Sequence, residues 1–259
     1  MATNLSEELK KFEKRWTQTF LFPTWYLSVV PEMQQLMRDI SREPKVRQRA
    51  WKAKLYGFIE RQLSSGNIFL GSGTGSVDVE RERIDTVVIH HTSNPPGLSP
   101  SRLSAIELIR LYAPYFASPR AKEDQHLKGQ PIFSGHLRNG RQVFWPYHWI
   151  VRRNGSTERL LRDDEIGWHA GNWKVNCQSV AIVLDNDYQY GCPGKKELKA
   201  IAYIIASYYR DVSPGRILGH REVASKTTCP SELFLDGKEK GWKTKLLALL
   251  ETIRVTRKA

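Results

Sequence analysis

The chain has few cysteines. Only Cys177, Cys192 and Cys229 occur among its 259 residues, which is too few for the disulfide framework of a small secreted domain. We expect Cys177 and Cys192 to be free thiols. The alternative left open is a disulfide between these two residues in an oxidising compartment.

The chain also lacks a run of apolar residues long enough to cross a bilayer. The most apolar stretch, residues 20–30, is short and is interrupted by Pro23, Thr24 and Ser28. We interpret it as an aromatic helix or loop that packs on the core, with a membrane-surface anchor as the alternative. The first twenty residues mix acids and bases, so no secretory signal is predicted. The sequence contains no internal repeat and no low-complexity segment.

Acidic residues are scarce relative to basic ones. The chain has 40 lysines and arginines against 27 acidic residues, a formal net charge of +13. Such a charge favours an anionic partner, which could be nucleic acid, an anionic membrane face or a cell-wall polymer. Hydrophobic residues make up 40% of the chain, enough for a folded core, so a disordered chain is excluded.

Residues 1–76 are predicted to form a mostly helical appendage that ends in a Gly/Ser linker at 71–76. Candidate helices begin near Ser6, at Pro31 and at Pro44. The third candidate, residues 44–63, is basic in its early half. It is either a basic face that binds cell wall or nucleic acid, or an ordinary solvated helix surface.

Residues 77–259 are predicted to form the main domain and to fold without the appendage. Strands and helices alternate along it, which predicts an α/β fold with a mixed central sheet flanked by helices. Residues 113–142 are irregular and are interpreted as a long binding loop or lid. The predicted strands and helices are Ile84–Ile89, a helix through 103–111, a hairpin of 143–153 with 156–161 that turns at Asn154-Gly155, Ser179–Leu184, Lys195–Tyr209 and Trp242–Val255.

Polar groups follow the first of these strands directly. His90 and His91 end the strand, and alternation allows only one of them to face a given site. A second polar stretch, Leu218 to Pro230, contains His220 and Cys229. Imidazole and thiolate are good zinc ligands, and two histidines with one cysteine leave a fourth position open, as in a catalytic zinc site.

Five short motifs lie between residues 84 and 234: Val-Ile-His-His-Thr (88–92), Pro-Tyr-His-Trp-Ile-Val (146–151) followed by Arg-Asn-Gly, Gly-Trp-His-Ala-Gly (167–171), Asn-Cys-Gln-Ser-Val-Ala-Ile (176–182), and Gly-His-Arg-Glu-Val with Cys-Pro (219–230). In order and spacing they resemble the zinc-dependent N-acetylmuramoyl-L-alanine amidases, the superfamily that includes phage lysozyme-type amidases and peptidoglycan recognition proteins. Residues 1–83 lie outside the resemblance.

The resemblance implies that His90, His220 and Cys229 bind Zn²⁺, with His91 as a neighbour on the opposite strand face. It also implies that Tyr147 faces the reacting groups. His169 would line the substrate groove, and Asn176 would bind substrate or stabilise a loop.

The sequence departs from the family pattern at two places. The family's usual glycine in the Ser-hydrophobic-Gly strand is Ala181, which affects local packing. The segment from His220 to Cys229 is one residue longer than the commonest form. The residue that stabilises the transition state normally lies two before the cysteine, at Thr227. We nevertheless predict Lys226 for this role, because a cation stabilises an oxyanion more strongly than a hydroxyl does.

The function implied by the resemblance is hydrolysis of the bond between N-acetylmuramic acid and L-alanine in peptidoglycan or muropeptides. The alternative is a non-catalytic peptidoglycan-recognition module, but the complete ligand set favours hydrolysis. A nucleic-acid partner is supported only by charge and the helix at 44–63, and we do not predict one. We expect a protein that acts on cell-wall material and is cytoplasmic, or is released without a recognisable signal peptide.

Overall fold

A computed structural model describes residues 5–72, 77–118, 126–235 and 241–256. The chain forms two compact units. The helical unit contains residues 1–76 and 99–144, and the sheet unit contains residues 77–98 and 145–259. One boundary between the units lies at residues 76 and 77, where the sequence places the domain boundary. Residues 99–144, however, belong to the helical unit, whereas the prediction places them in the main domain. Independent folding of residues 77–259 stays a prediction.

The helical unit is built from helices and one small hairpin. Its helices are α1 (Leu5–Thr19), α2 (Trp25–Ser41), α3 (Lys45–Ser64), α4 (Pro100–Glu107) and α5 (Ala113–Ala117), with a π-helical turn (Leu108–Tyr112) between the last two. Strands β2 (Leu137–Arg138) and β3 (Arg141–Gln142) form the antiparallel hairpin. Ser99 begins α4 by accepting a hydrogen bond from the Arg102 N–H, the usual N-cap contact of serine.

Helix α2 begins at Trp25, so the predicted start at Pro31 is wrong. Pro31 lies inside the helix, where it removes one backbone N–H. Apolar residues on both sides of it, including Val29, Val30 and Met33, are buried. Burial of this continuous apolar face outweighs the loss of one hydrogen bond. The aromatic stretch at 20–30 is therefore partly helical, and Trp25 packs edge-on against Phe20 with ring centroids 5.0 Å apart.

The segment 113–142 is less irregular than predicted. Residues 113–117 continue the helical segment as α5, and residues 137–142 contain the hairpin of β2 and β3. The segment is also tied to residues 1–76, because the Tyr26 hydroxyl donates to the Gln130 carbonyl at 2.9 Å. The predicted linker at 71–76 lies mostly outside the described residues. Gly71, at its start, donates its N–H to the Ile132 carbonyl at 2.8 Å.

The sheet unit has a five-stranded mixed sheet in the order β5-β4-β6-β1-β7, as the predicted α/β class requires. Its strands are β1 (Thr86–His91), β4 (Trp149–Val151), β5 (Thr157–Arg159), β6 (Ser179–Leu184) and β7 (Ile217–Gly219). All neighbouring pairs are parallel except β4 with β5. Its helices are α6 (Trp173–Gln178), α7 (Lys195–Tyr208), α8 (His220–Val223) and α9 (Trp242–Thr256).

The two faces of this sheet have different surroundings. Val87 and Ile89 share a buried apolar cluster with residues of α7 and α9. Because side chains alternate along a strand, His90 points to the opposite face. This leaves the carboxyl end of β1 with an imidazole on the face away from α7 and α9.

The predicted hairpin is confirmed, but its first strand is shorter than expected. Trp149 pairs with Arg159, and Val151 pairs with Thr157. Gly155 has a φ of +89°, which permits the tight reversal. Residues 143–148 are not part of β4, so strand alternation does not determine where their side chains point. Among the residues described, no helix is both long and apolar enough to span a membrane.

Candidate functional site

Three side chains that can bind a metal ion meet at the carboxyl end of β1 and β7. In this parallel pair Ile89 lies opposite Gly219, so the next residues, His90 and His220, are neighbours at the sheet edge. The ligand atoms of His90, His220 and Cys229 all lie within 4.8 Å of one another. The structure therefore brings together the three ligands predicted from the sequence.

Short contacts link the chain around Cys229 to α8. The Cys229 carbonyl accepts a hydrogen bond from the Arg221 N–H at 2.7 Å. The Arg221 guanidinium donates to the carbonyls of Ser231 and Glu232 at 3.1 and 3.2 Å. Two of the three candidate ligands are therefore held in one compact loop. The Cys229 Sγ lies 3.7 Å from the Nδ1 of His90.

Burial sets the charge states of these three groups in the structure. Burial lowers the pKa of His90 well below 6.5, and the neighbouring His220 and His169 add to the effect. Burial also lowers the pKa of His220. Burial raises the pKa of the Cys229 thiol to about 12. This donor set fits Zn²⁺. Both imidazoles are neutral and have a lone pair available, and the thiol would ionise on binding a cation.

Tyr147 lies beside this cluster. Its ring centroid is 5.1 Å from that of His90, with the rings tilted by 48°, and the side chain is half-buried. Gly167 keeps the facing loop close to this segment, because a Cβ there would lie 2.2 Å from the Pro146 carbonyl oxygen. The predicted position of Tyr147 next to the ligands agrees with this geometry, and its catalytic role stays a prediction.

His169 and Asn176 are both buried. The Nδ1 of His169 is 3.1 Å from the Nε2 of His90, and its Nε2 is 3.1 Å from the hydroxyl of Ser179. Burial, His220 and Arg81 together lower the pKa of His169 to about 3, so the ring is neutral at pH 7. Both of its nitrogens contact protein groups. The predicted place of His169 in a substrate groove is not tested by these contacts.

Asn176 holds the loop that carries His169. Its Oδ1 accepts the N–H groups of His169 and Ala170 at 3.3 and 2.9 Å. A backbone hydrogen bond with Ala170 in turn partly opposes the lowering of the His220 pKa by burial. Of the two roles left open for Asn176, these contacts support loop stabilisation.

Lys226 and Thr227 differ in their surroundings. Lys226 is exposed. Thr227 is partly buried, and its hydroxyl oxygen accepts the Cys229 N–H at 3.1 Å. The hydroxyl is thus fixed next to a candidate ligand. Neither role is tested by this geometry.

The two remaining histidines of the motifs have structural contacts. His91 accepts the Tyr188 N–H on Nδ1 at 2.9 Å, and its Nε2 is 3.1 Å from the Ser93 hydroxyl. His148 accepts the Ala181 N–H at 3.1 Å on Nδ1 and donates from Nε2 to the Glu165 carbonyl at 2.9 Å. Both nitrogens of each ring are therefore occupied within the fold.

Two residues around the site have no role in the sequence prediction. Ser179 contacts His169, and Arg81 donates to the carbonyls of Cys177 and Ser179 at 3.3 and 2.8 Å. The sequence signals for Ser179 are its place in the motif at 176–182 and a hydroxyl at the start of an otherwise apolar strand. Arg81 lies in a run of mixed charge that gives no signal at all.

The chain is similar to several solved structures. They include the amidase LysC from Clostridium intestinale URNW (15% identity, 71% of this chain and 95% of that chain, TM-score 0.44). The endolysin of Thermus scotoductus MAT2119 bacteriophage Ph2119 has 17% identity over 65% of this chain and 86% of its own, with a TM-score of 0.41. The Drosophila peptidoglycan recognition protein SD has 18% identity over 63% of this chain and 82% of its own, with a TM-score of 0.38.

These likenesses are too weak to carry an argument about function. No curated protein sequence matches the chain. The family model described as N-acetylmuramoyl-L-alanine amidase, however, matches residues 80–232. That range is more than half of the 259 residues and contains all three candidate ligands. The chain therefore belongs to the N-acetylmuramoyl-L-alanine amidase family.

Proposed function

We propose that the protein is a zinc-dependent N-acetylmuramoyl-L-alanine amidase. It hydrolyses the amide bond between the lactyl group of N-acetylmuramic acid and L-alanine in peptidoglycan or muropeptides. The observation that carries the proposal is the group of His90, His220 and Cys229, of which His90 and Cys229 are buried and His220 is partly buried, and whose ligand atoms lie within 4.8 Å of one another. The formal net charge of +13 supports an anionic wall polymer as the substrate.

The three ligands would hold one zinc ion, and His90 and His220 would bind it as neutral imidazoles. A zinc ion bound there would supply a Lewis acid for the scissile carbonyl and would lower the pKa of water to near neutrality. The carboxyl end of a parallel sheet is a common place for such a site.

Tyr147 would donate a hydrogen bond from its phenol to the attacking oxygen or to the oxyanion. Its position against the His90 ring, 5.1 Å between centroids, supports this role. Because the side chain is half-buried, its hydroxyl can be close to both the ligands and an incoming substrate. A hydrogen bond in partly desolvated surroundings stabilises developing charge better than one in water.

The oxyanion would be stabilised by Lys226, with Thr227 as the alternative donor. Lys226 offers a full positive charge. Thr227 offers a hydroxyl whose oxygen accepts the Cys229 N–H at 3.1 Å, which leaves its proton available for a substrate oxygen. Removing one donor of this kind typically costs about 3 kcal/mol of transition-state stabilisation.

The test is to incubate the purified protein with muropeptides and with intact peptidoglycan, and to identify the products by mass spectrometry. We expect free stem peptides that begin with L-alanine, together with glycan that carries the lactyl carboxylate. A chelator should abolish the reaction and added zinc should restore it. Intact substrates after incubation with the zinc-loaded protein would contradict the proposal, and binding without cleavage would instead indicate a recognition module.

Cys229→Ser is the matched variant, because it replaces only the sulfur atom. We expect about one zinc per wild-type chain and very little in the variant. The variant's activity should fall by more than about a hundredfold, since even residues that only support metal ligands contribute roughly 10–100-fold. Full zinc occupancy in the variant would show that the ligand assignment is wrong.

A further inference from the structure

We propose that Ser179 and His169 are positioning residues that fix the tautomer of His90, so that its Nδ1 faces the metal as a bare lone pair. The inference rests on the proposed function in that it concerns the same zinc site. It is argued from the direction of three consecutive hydrogen bonds.

The first hydrogen bond sets the direction of the chain. The Ser179 hydroxyl donates to the Val175 carbonyl at 2.5 Å. A carbonyl oxygen can only accept, and a hydroxyl has one proton. The Ser179 oxygen must therefore accept in its contact with His169, whose Nε2 lies 3.1 Å away. Ser179 is completely buried, so water does not compete for this contact.

The second and third hydrogen bonds follow from the first. Because the Nε2 of His169 carries the proton of the neutral ring, its Nδ1 is an acceptor. That Nδ1 lies 3.1 Å from the Nε2 of His90, so His90 must donate from Nε2. The Nδ1 of His90 is then unprotonated. This is the atom that lies 3.7 Å from the Cys229 Sγ, on the side of the ligand cluster.

The loop that carries His169 also contacts the second imidazole ligand. A backbone hydrogen bond with Ala170 partly opposes the lowering of the His220 pKa by burial. Asn176 holds both loop residues through their N–H groups, at 3.3 and 2.9 Å. The segment His169–Ala170 thus interacts with both imidazoles, and its geometry toward His90 is a side-chain contact of 3.1 Å.

The chemical consequence is that His90 is already in the tautomer and orientation that bind the metal. A histidine that donates one ring N–H to a fixed acceptor has a defined tautomer and ring orientation before the metal arrives. Loss of such a supporting contact typically lowers metal affinity by about 10–100-fold. Ser179 and His169 would therefore influence zinc binding without touching zinc.

The first test measures the tautomer directly in the metal-free wild-type protein. Nitrogen-15 NMR of labelled histidine side chains distinguishes protonated from bare ring nitrogens, and His90→Gln identifies the His90 signals by their loss. We expect a proton on Nε2 and a bare Nδ1 in His90. A proton on Nδ1 would overturn the inference, and the variant is needed only to identify the signals that are read in the wild-type protein.

The second test compares zinc affinity by competition with a chromophoric chelator. His169→Leu removes the acceptor and should weaken zinc binding by about 10–100-fold. His169→Asn places an amide oxygen near the position of Nδ1, so it should recover most of that loss. Ser179→Ala should weaken binding less, and should broaden or shift the His90 signals towards a mixture of tautomers.

A purely structural role for His169 predicts a different result. Equal losses in His169→Leu and His169→Asn, with unchanged His90 tautomers in both, would overturn the proposal. If His169→Leu does not fold, the wild-type tautomer and Ser179→Ala decide the question. A wild-type protein that binds no zinc would contradict the proposed function, while the metal-free tautomer measurement would still test this inference.

Discussion

The helical unit and the sheet unit bury different kinds of side chain. Among the described residues, the sheet unit has twelve buried polar or charged residues and the helical unit has three. The helical unit instead buries large aromatic rings, among them Trp16, Phe20 and Trp25. Apolar packing is insensitive to direction, whereas buried polar groups require specific partners. Substitutions in the two units should therefore affect different properties.

The two units also differ in net charge. The helical unit has 19 basic and 10 acidic residues, whereas the sheet unit has 21 and 17. Most of the net charge of +13 thus belongs to the unit that contains none of the three candidate ligands. The proposed attraction to an anionic polymer would therefore come mainly from the helical unit, and the proposed metal chemistry from the sheet unit.

The largest expected effect is on the stability of the helical unit. Phe20 is completely buried and lies 5.0 Å from Trp25 and 6.1 Å from Phe58 between ring centroids. Phe20→Ala should lower the free energy of unfolding by about 3–5 kcal/mol, because it leaves a cavity. Denaturant unfolding followed by circular dichroism measures the change. The control Phe22→Ala alters a ring that is 63% exposed and should stay within about 0.5 kcal/mol.

This variant also tests the contrast between the units. Zinc bound per folded chain should be unchanged in Phe20→Ala, since the ligands lie elsewhere. Loss of zinc under conditions where the chain is still folded would contradict this separation.

The next effect is expected at the site itself. Lys226→Ala should lower kcat by about a hundredfold, roughly 2.7 kcal/mol, while zinc stays bound. Thr227→Ala should cost much less. Steady-state kinetics on a defined muropeptide, with zinc content measured in parallel, compares the two. The reverse order would assign the oxyanion to Thr227, and mild effects at both positions would remove the role from this loop.

A smaller effect is expected from the glycine that precedes His220. A Cβ on Gly219 would lie 2.6 Å from the Phe234 ring and 2.7 Å from the Pro230 Cδ. Gly219→Ala should therefore lower stability by about 1–3 kcal/mol. It should also weaken zinc binding, because Pro230 follows Cys229 directly.

Gly215→Ala is the matched control for this substitution. A Cβ there has nothing within 4 Å, so stability and zinc affinity should be close to those of the wild type. Thermal unfolding and chelator competition measure both variants. Equal behaviour of the two would show that the contact with Phe234 is relieved without cost.

The smallest effect on the site is expected from deletion of residues 1–76. Zinc affinity should change by no more than about twofold, because the ligands and their hydrogen-bond partners all lie outside the deleted part. The truncated chain should stay soluble but unfold at a lower temperature, since Tyr112 and Phe116 are buried in the unit that loses α1 to α3. A folded protein without zinc, or an insoluble one, would mean that residues 1–76 belong to the core of the amidase domain.

The sequence predicts most of the sheet unit because its elements are periodic. Strand β6 and helix α9 begin where the pattern indicates, at Ser179 and Trp242. The short helices α6 and α8 are not predicted, because six and four residues are too few to show a helical period. Packing of residues 99–144 with 1–76 depends on contacts between distant segments, which no local pattern reports.

The candidate ligands are predictable for a different reason. His90, His220 and Cys229 belong to motifs whose order resembles a known family. The hydrogen bonds that support these ligands are not predictable in this way, although His169 and Ser179 also lie in the motifs. Ser179 acts through a hydrogen bond to a residue ten positions away in sequence, and the direction of that bond depends on the Val175 carbonyl. Such a role becomes visible only when both contacts of the hydroxyl are known.

The position of β7 has a consequence for how the site could open. This strand has three residues, and in the described sheet it is an edge strand paired only with β1. Short edge segments are often the first to unfold locally, without global unfolding. Such an opening would displace His220 and Cys229 together. The hydrogen bond from the Arg221 N–H to the Cys229 carbonyl connects the two ends of the loop that carries both residues. Amide hydrogen exchange in residues 217–221 should therefore slow when zinc binds, which makes these amides a local reporter of metal occupancy.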